Sequence, residues 1–222
     1  RNVATGEQVR ITRGGGGVRF NWNTPFLLSP HNSSLFFYAG SVVFRSIDGG
    51  ATSQRISDEI TRTERGSATA LAQSPVDEGL LLVGTDDGAL WMTTDGGREW
   101  TSIADRLPGL EGPRYISDIE PSPHRADTIY VTVDGHRSDD YAPHVFVSTN
   151  AGESWERIVV GLPEASVRTL AIDPVNRDLV FVGTEFGCFV SIDAGGHWSP
   201  FQSGLPTVPV HELVIHPTES DL

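Results

Sequence analysis

Ser46-Ile-Asp48-Gly-Gly50-Ala-Thr-Ser53 is the first of four segments that share one pattern, a hydroxyl residue followed by Asp or Asn, Gly and usually Trp at fixed offsets. The other three are Thr93-Thr-Asp95-Gly-Gly97-Arg-Glu-Trp100, Ser148-Thr-Asn150-Ala-Gly152-Glu-Ser-Trp155 and Ser191-Ile-Asp193-Ala-Gly195-Gly-His-Trp198. We call these segments repeat turns 1 to 4. They recur every 43 to 55 residues, and short strands repeated with this period are typical of β-propeller blades.

A second marker, an apolar strand that ends in proline, keeps the same period. It ends at Pro30, Pro75, Pro123, Pro174 and Pro217. Between the two markers, each unit has two more short apolar segments bounded by turn-forming residues. The sequence therefore predicts an all-β fold in which residues 1–222 form part of one β-propeller with four-stranded blades. The predicted blades cover about residues 20–57, 68–103, 115–159 and 166–202, and residues 210–222 are predicted as the first strand of a fifth.

Composition excludes several functional classes. The net charge of −13 argues against a nucleic-acid partner, because phosphate backbones require a basic surface. No apolar run approaches the roughly 20 residues of a membrane-spanning helix. The single cysteine, Cys188, lies in a predicted strand and is expected to be buried and unreactive. We predict no cofactor and no metal: His211-Glu212 lacks a second histidine at helical spacing, and Gly14–Gly17 lacks the Lys-Ser or Lys-Thr of a phosphate loop.

The repeat turns have a structural explanation. Asp, Asn, Ser and Thr side chains can bond to the backbone of their own turn, and Gly adopts conformations closed to other residues. Trp100, Trp155 and Trp198 are expected to be buried against their own blades. Turns 1 and 3 are expected to be looser or differently capped, because Ser53 replaces the aromatic residue and Asn150 replaces Asp. The residues assigned this structural role are Ser46, Asp48, Gly50, Thr93, Asp95, Gly97, Trp100, Ser148, Asn150, Gly152, Trp155, Ser191, Asp193, Gly195 and Trp198.

This turn pattern is the Asp box, and residues 27–217 resemble the Asp-box (BNR) repeat β-propellers, which include bacterial sialidases, xyloglucanases, sortilin-type receptors and photosystem assembly factors. The strings at residues 19–25, 182–191 and 204–211 are similar to large bacterial proteins with sortilin-like propellers, often labelled glycosyl hydrolases. The resemblance implies a module of a larger protein that is secreted or periplasmic. It implies the fold far more strongly than an activity, because one propeller fold hosts many functions.

The loops opposite the repeat turns form the candidate ligand-binding mouth, because strands alternate in direction and these loops converge at one end. One of them, residues 134–143, is an insertion: Pro123 lies 25 residues before Ser148, whereas Pro75 lies 18 before Thr93. A solvated loop with local ion pairs is its simplest interpretation, and a ligand contact or a metal or catalytic role are the alternatives. The candidate binding residues are Arg137, Asp139, Asp140 and Tyr141 in the insertion, and Asp86, Asp87 and Glu185 in neighbouring loops.

The leading functional prediction is a non-catalytic module with a protein or carbohydrate ligand. The alternative is a sialidase-like or xyloglucanase-like glycoside hydrolase, which needs two carboxylates about 5 to 10 Å apart across a cleft. The Arg-Ile-Pro segment usual in sialidases is absent, since Ser57 follows Arg55-Ile56, and no catalytic residue is assigned. A second chain or missing flanking sequence is expected to complete the propeller, with Glu7–Thr12 as an outer strand of a preceding blade.

Overall fold

The computed structural model describes Gly6, residues 16–201, Gly204 and residues 206–216. Sixteen strands form four antiparallel sheets of four strands each, with the strands in chain order. We call these sheets blades 1 to 4. Their strands are β1 Phe26–Leu28, β2 Phe36–Ala39, β3 Val43–Ser46 and β4 Gln54–Arg55; β5 Ala68–Gln73, β6 Leu81–Thr85, β7 Leu90–Thr93 and β8 Thr101–Ser102; β9 Tyr115–Pro121, β10 Ile129–Asp134, β11 His144–Ser148 and β12 Glu156–Arg157; β13 Val167–Ile172, β14 Val180–Thr184, β15 Gly187–Ser191 and β16 Ser199–Pro200.

The all-β prediction is confirmed. Within the described residues the helical segments are two short 3-10 turns, Ala104–Arg106 and His136–Ser138. The second strand of every blade is buried at each position, since both of its faces are covered. This is why those strands are nearly continuous apolar runs instead of alternating sequences.

The hydrophobic cores lie between consecutive blades. Met92 of blade 2 and Phe146 of blade 3 share one core, and Val145 of blade 3 and Leu170 of blade 4 share the next. Burial of these facing apolar surfaces stabilises the fold by about 25 cal/mol per Å². Each blade therefore depends on its neighbours for most of its stability, as expected of repeat architectures.

The first strands of neighbouring blades contact each other and line the axis. Thr69 Oγ1 donates to the Ile116 carbonyl at 2.7 Å, and Ser117 Oγ donates to the Val167 carbonyl at 2.8 Å. Thr169 Oγ1 donates to the Asp118 carboxylate at 2.9 Å. These polar contacts join the first strands of consecutive blades.

The predicted fifth-blade strand, residues 210–222, stays a prediction. Residues 210–216 have no strand assignment. Their start is nevertheless docked on blade 4: Val210 N donates to the Thr184 carbonyl at 3.0 Å. A Cβ on Gly183 would lie 2.7 Å from the Val210 carbonyl oxygen, just as one on Gly84 would lie 2.4 Å from Ile116 at the start of blade 3. Glu7–Thr12 and residues 217–222 lie outside the described residues.

The repeat turns are closed by side-chain hydrogen bonds of one kind. In turn 4, Ser191 Oγ donates to Asp193 Oδ1 at 2.6 Å and accepts the Gly195 N–H at 2.8 Å, and the same carboxylate oxygen accepts the His197 N–H at 2.9 Å. The Ala194 N–H donates to the Asp178 carbonyl in the turn between the first and second strands. The repeat turns therefore lie at the end opposite the mouth.

The two variant turns are capped as tightly as the others. In turn 3, Asn150 Oδ1 accepts the Ser148 hydroxyl at 2.9 Å and the Ser154 N–H at 3.0 Å, while its amide donates to Ser154 Oγ at 2.9 Å. In turn 1, Asp48 accepts both the backbone N–H and the hydroxyl of Thr52. Asn therefore gives a different cap but not a looser one.

The predicted packing of the tryptophans was partly wrong. Trp155 and Trp198 are buried, but Trp100 is only half-buried. Their indoles contact the preceding blade: Trp100 Nε1 donates to the Ile56 carbonyl and Trp198 Nε1 to the Ile158 carbonyl, both at 2.8 Å. The reason is that each fourth strand is only two residues long and outermost, so the flanking indole lies across the seam between blades instead of on its own sheet.

Replacing Ser191 by alanine should destabilise the chain by about 1 to 3 kcal/mol, because the buried Gly195 N–H loses its acceptor. Urea unfolding followed by circular dichroism measures the change. Thr149→Ala, which removes an exposed hydroxyl in turn 3, is the matched control and should be nearly neutral. Equal effects of the two variants would contradict the role assigned to the turn hydroxyl.

Candidate functional site

The insertion in blade 3 is organised by Asp140. Its carboxylate accepts Arg114 Nε at 3.1 Å, His144 Nε2 at 3.0 Å and the Ala142 N–H at 3.2 Å. Partial burial raises the pKa of Asp140, but the hydrogen bonds from His144 and Arg114 outweigh it and hold the pKa below its usual value. Asp139 takes a left-handed backbone conformation, with φ of 55°, which turns the chain after the 3-10 segment. Asp140 is therefore already engaged by its own loop, by His144 and by Arg114 of the preceding connection.

An ionic network joins the insertion to blade 4. Arg168 Nη1 donates to Asp134 Oδ2 at 3.3 Å, and the same guanidinium pairs with Glu185. His136 donates its backbone N–H to Asp134 at 3.0 Å, and its ring Nδ1 lies 2.7 Å from the same carboxylate. Burial raises the pKa of Asp134, but the two His136 hydrogen bonds outweigh it, so the pKa is lowered. The carboxylate of Glu185, which was predicted to bind a ligand, is thus paired with the Arg168 guanidinium.

Asp86 and Asp87 hold a different part of the mouth. Asp86 accepts the Ser67 N–H at 2.8 Å and the Ser67 hydroxyl at 2.9 Å. Asp87 accepts the backbone N–H groups of Arg62 and Thr63 at 2.8 and 2.7 Å. Both carboxylates therefore fix the connection between blades 1 and 2, and their contacts are with that connection, not with the insertion.

The remaining predicted residues face solvent at the mouth. The Arg137 guanidinium lies 5.0 Å from the centre of the Tyr115 ring, in a cation–π arrangement. Burial raises the pKa of Tyr115. Tyr141 is 58% exposed, and Asp139, two residues before it, is also exposed. Of the predicted binding residues, the exposed ones are thus Arg137, Asp139 and Tyr141.

The prediction missed two carboxylates on the axis. Asp118 and Glu120 lie on β9, in a cavity of about 360 Å³ that is also lined by Leu27, Leu71 and Ala72. Burial, and then the charge of Asp118, raises the pKa of Glu120 to about 8. Burial also raises the pKa of Asp118, although that carboxylate accepts hydrogen bonds from blade 4.

A signal for these carboxylates was present in the repeat itself. When the proline-ended strands are superposed, Glu120 occupies the position of Leu27, Ala72 and Ala171 in the other blades. An acidic residue at a position that is apolar in the other blades indicates that the surroundings of this side chain differ from those in the other blades. Arg168 and Tyr115, also missed, lie at the mouth ends of first strands and are hidden within strand-like sequence.

Glu120→Gln should stabilise the chain by on the order of 1 kcal/mol at pH 8 and have little effect at pH 4 to 5. The folded-state pKa of about 8 lies above the ordinary value of 4.5, so the wild type loses stability as the pH rises between these values. Urea unfolding from pH 4 to 8 tests this. A pH-independent difference between the two proteins would contradict the burial of an unpaired carboxyl. Glu153→Gln, an exposed carboxyl in turn 3, is the control.

The comparisons with known proteins show the fold. A GH74 enzyme described as ancestral matches with a TM-score of 0.67 and 21% identity, over 86% of this chain and 25% of that protein. The GH74 enzyme of Niastella koreensis matches with a TM-score of 0.64 and 18% identity, over 78% of this chain and 28% of that one. YCF48 from Cyanidioschyzon merolae matches with a TM-score of 0.51 and 16% identity, over 82% of this chain and 55% of that protein.

These solved structures are β-propellers, so the four blades form part of a β-propeller, as predicted. The chain spans about a quarter of the two GH74 enzymes and about half of the YCF48 protein. No protein-family model and no curated protein matches the sequence. The described part of the chain contains no helix with the length and apolar character that crossing a bilayer requires.

Proposed function

We propose that this chain is part of a non-catalytic β-propeller module that binds a protein or a carbohydrate. The observation that supports it most is the state of the mouth carboxylates. Asp86 and Asp87 accept backbone N–H groups, and Asp140 and Glu185 pair with arginines. A glycoside hydrolase needs two carboxylates that face each other and remain free to act on the substrate. The mouth therefore suits recognition better than hydrolysis.

A binding screen combined with a hydrolysis assay tests the proposal. The 222-residue chain is applied to a glycan array and to a panel of extracellular proteins, and release of reducing sugars from polysaccharides is measured in parallel. We expect binding without hydrolysis. Hydrolysis that depends on the mouth carboxylates, or the absence of binding to every probe, would overturn the proposal.

A glycoside hydrolase is the second candidate, and one observation favours it. Burial raises the pKa of Glu120 to about 8, the direction that a general acid requires, and Asp118 lies two residues away on the same strand. The structural similarity to GH74 enzymes agrees with this possibility. Polysaccharide hydrolysis that disappears in a folded Glu120→Gln variant would establish it. Hydrolysis unchanged in that variant would exclude Glu120 as the acid.

By its resemblance to Asp-box and sortilin-like repeats, we place the module in a larger bacterial protein that is secreted or periplasmic. Further blades, from flanking sequence or from a second chain, would complete the ring. The docking of Val210 on Gly183 supports this, because it repeats the contact by which blade 3 follows blade 2. Light scattering on the isolated chain should show association. A stable monomer with a closed five-bladed ring would refute this part of the proposal.

A further inference from the structure

A groove of about 690 Å³ lies along the outer seam between blades 1 and 2. Arg45, Arg55 and Asp58 line it from blade 1, and Trp91, Arg98 and Trp100 line it from blade 2. Its volume falls within the range of about 300 to 1,000 Å³ that is typical of ligand sites. None of its residues is among the predicted binding residues of the mouth.

This seam is more open than the two that follow it. Between blades 2 and 3, Arg106 Nη1 donates to the Gly152 carbonyl of turn 3 at 2.8 Å, and Trp155 is buried. Between blades 3 and 4, Trp198 N donates to the Val160 carbonyl at 2.8 Å. The corresponding residues 57–59 form no hydrogen bond to turn 2 within the described chain. Ser, Asp and Glu stand there in place of Val, Val and Gly, which leaves Trp100 half-exposed.

The two tryptophans offer ring surface to the groove and no hydrogen-bond donor. Trp91 Nε1 donates to the Ile60 carbonyl at 2.7 Å, and Trp100 Nε1 donates to the Ile56 carbonyl at 2.8 Å. Because both N–H groups are already used, a ligand can contact these indoles only by stacking on the rings. A flat, partly apolar face, such as that of a sugar ring, suits such a surface.

The groove carries more positive than negative charge. Among the described residues, Arg45 and Arg98 form no ion pair, although the charge of Arg98 lowers the pKa of Asp95 nearby. Arg55 lies 3.8 Å from Asp58, and Glu59, which also lines the groove, is paired with Arg19 outside it. In a chain with a net charge of −13, two unpaired guanidinium groups beside two indoles point to an anionic ligand. Guanidinium groups bind carboxylates in a planar, bidentate geometry.

We propose that this groove binds an oligosaccharide that contains uronic acids, with sugar rings stacked on the indoles and carboxylates paired with Arg45 and Arg98. An acidic peptide fits less well. Peptides that add to a sheet edge gain affinity from a row of main-chain hydrogen bonds, and β4, the edge strand here, is only two residues long. This inference rests on the proposed binding function and narrows the ligand to an acidic carbohydrate.

Calorimetric titration of the 222-residue chain tests the inference with oligomers of galacturonate, glucuronate and mannuronate as probes. Neutral xyloglucan oligosaccharides and a polyglutamate peptide are the comparison ligands. At least one uronate oligomer should bind, and its affinity should fall as salt is added. The Arg45→Gln/Arg98→Gln double variant should lose about tenfold or more in affinity. Arg177→Gln, which alters an exposed arginine on blade 4, should bind as the wild type does.

Equal binding of the neutral oligosaccharides, an unchanged affinity in the double variant, or no binding of any uronate oligomer would each overturn the inference. Stronger binding of polyglutamate, lost in the double variant, would replace the carbohydrate by an acidic peptide. If the array finds another glycan or a protein whose binding the double variant leaves unchanged, the groove assignment fails while the proposed function stands. If no probe binds anywhere on the chain, both fail.

Discussion

Replacing Trp198 by alanine is expected to destabilise the chain by about 3 to 5 kcal/mol, the largest effect that we predict for a single side chain. The indole is 1% exposed and belongs to the core between blades 3 and 4. Its removal leaves a cavity at a seam, and it also removes the hydrogen bond to the Ile158 carbonyl. Urea unfolding followed by far-ultraviolet circular dichroism measures the loss without relying on tryptophan fluorescence.

A pair of phenylalanine variants separates the ring from its hydrogen bond. Within the described residues, Trp155 Nε1 is buried without a partner, and the Ile103 carbonyl, which corresponds to that of Ile158, accepts the Arg106 N–H. Trp155→Phe therefore removes an unsatisfied donor, whereas Trp198→Phe breaks a bond. We expect Trp198→Phe to lower the free energy of unfolding by about 1 kcal/mol more than Trp155→Phe does. If Trp155→Phe were the more damaging variant, the hydrogen-bond assignment at the seam would be wrong.

The fold was predictable because two independent markers in the sequence keep one period. Repeat turns fix where the third strand of each blade ends, and the proline-ended strands fix the first. Three of the second strands begin one residue after the apolar segment of the sequence begins: at Phe36, Leu81 and Val180 instead of Leu35, Leu80 and Leu179. Such small shifts arise because an apolar residue beside a strand is buried whether or not it belongs to the ladder.

The contacts across the seams were not predictable in the same way. Periodicity shows that Trp100 and Trp198 are equivalent, but it does not show which of two adjacent sheets each indole covers. The difference in burial between them arises from residues 57–59 and 159–161, which lie in connections. A comparison of those connections, polar in the first and apolar in the third, would have indicated the open seam.

The candidate site was predictable as a region and only partly as a set of residues. The length of the insertion placed residues 134–143 at the mouth, and they lie there. The partners that decide what these residues can do, Arg114 and Arg168, come from elsewhere in the sequence. Ion pairs between distant segments depend on the relative positions of the blades, which no local pattern encodes.

The same seam chemistry predicts a large effect at one glycine. Gly161 has a φ of +96°, which L side chains rarely adopt, and a Cβ there would lie 2.2 Å from the Trp198 carbonyl oxygen. Gly161→Ala is expected to destabilise the chain by about 2 to 4 kcal/mol, because backbone strain and overpacking add. Thermal and urea unfolding provide the measurement.

Gly109→Ala is the matched control for Gly161→Ala. Gly109 lies in the preceding connection between blades, with a φ of +75°, but a Cβ there would meet nothing within 4 Å. Gly109→Ala should lower the free energy of unfolding by about 1 kcal/mol, which is the cost of the backbone strain alone. The difference between the two variants measures how tightly residues 159–161 close the seam against turn 4. Equal costs would mean that this connection does not seal the seam, and the contrast with the open groove between blades 1 and 2 would lose its structural basis.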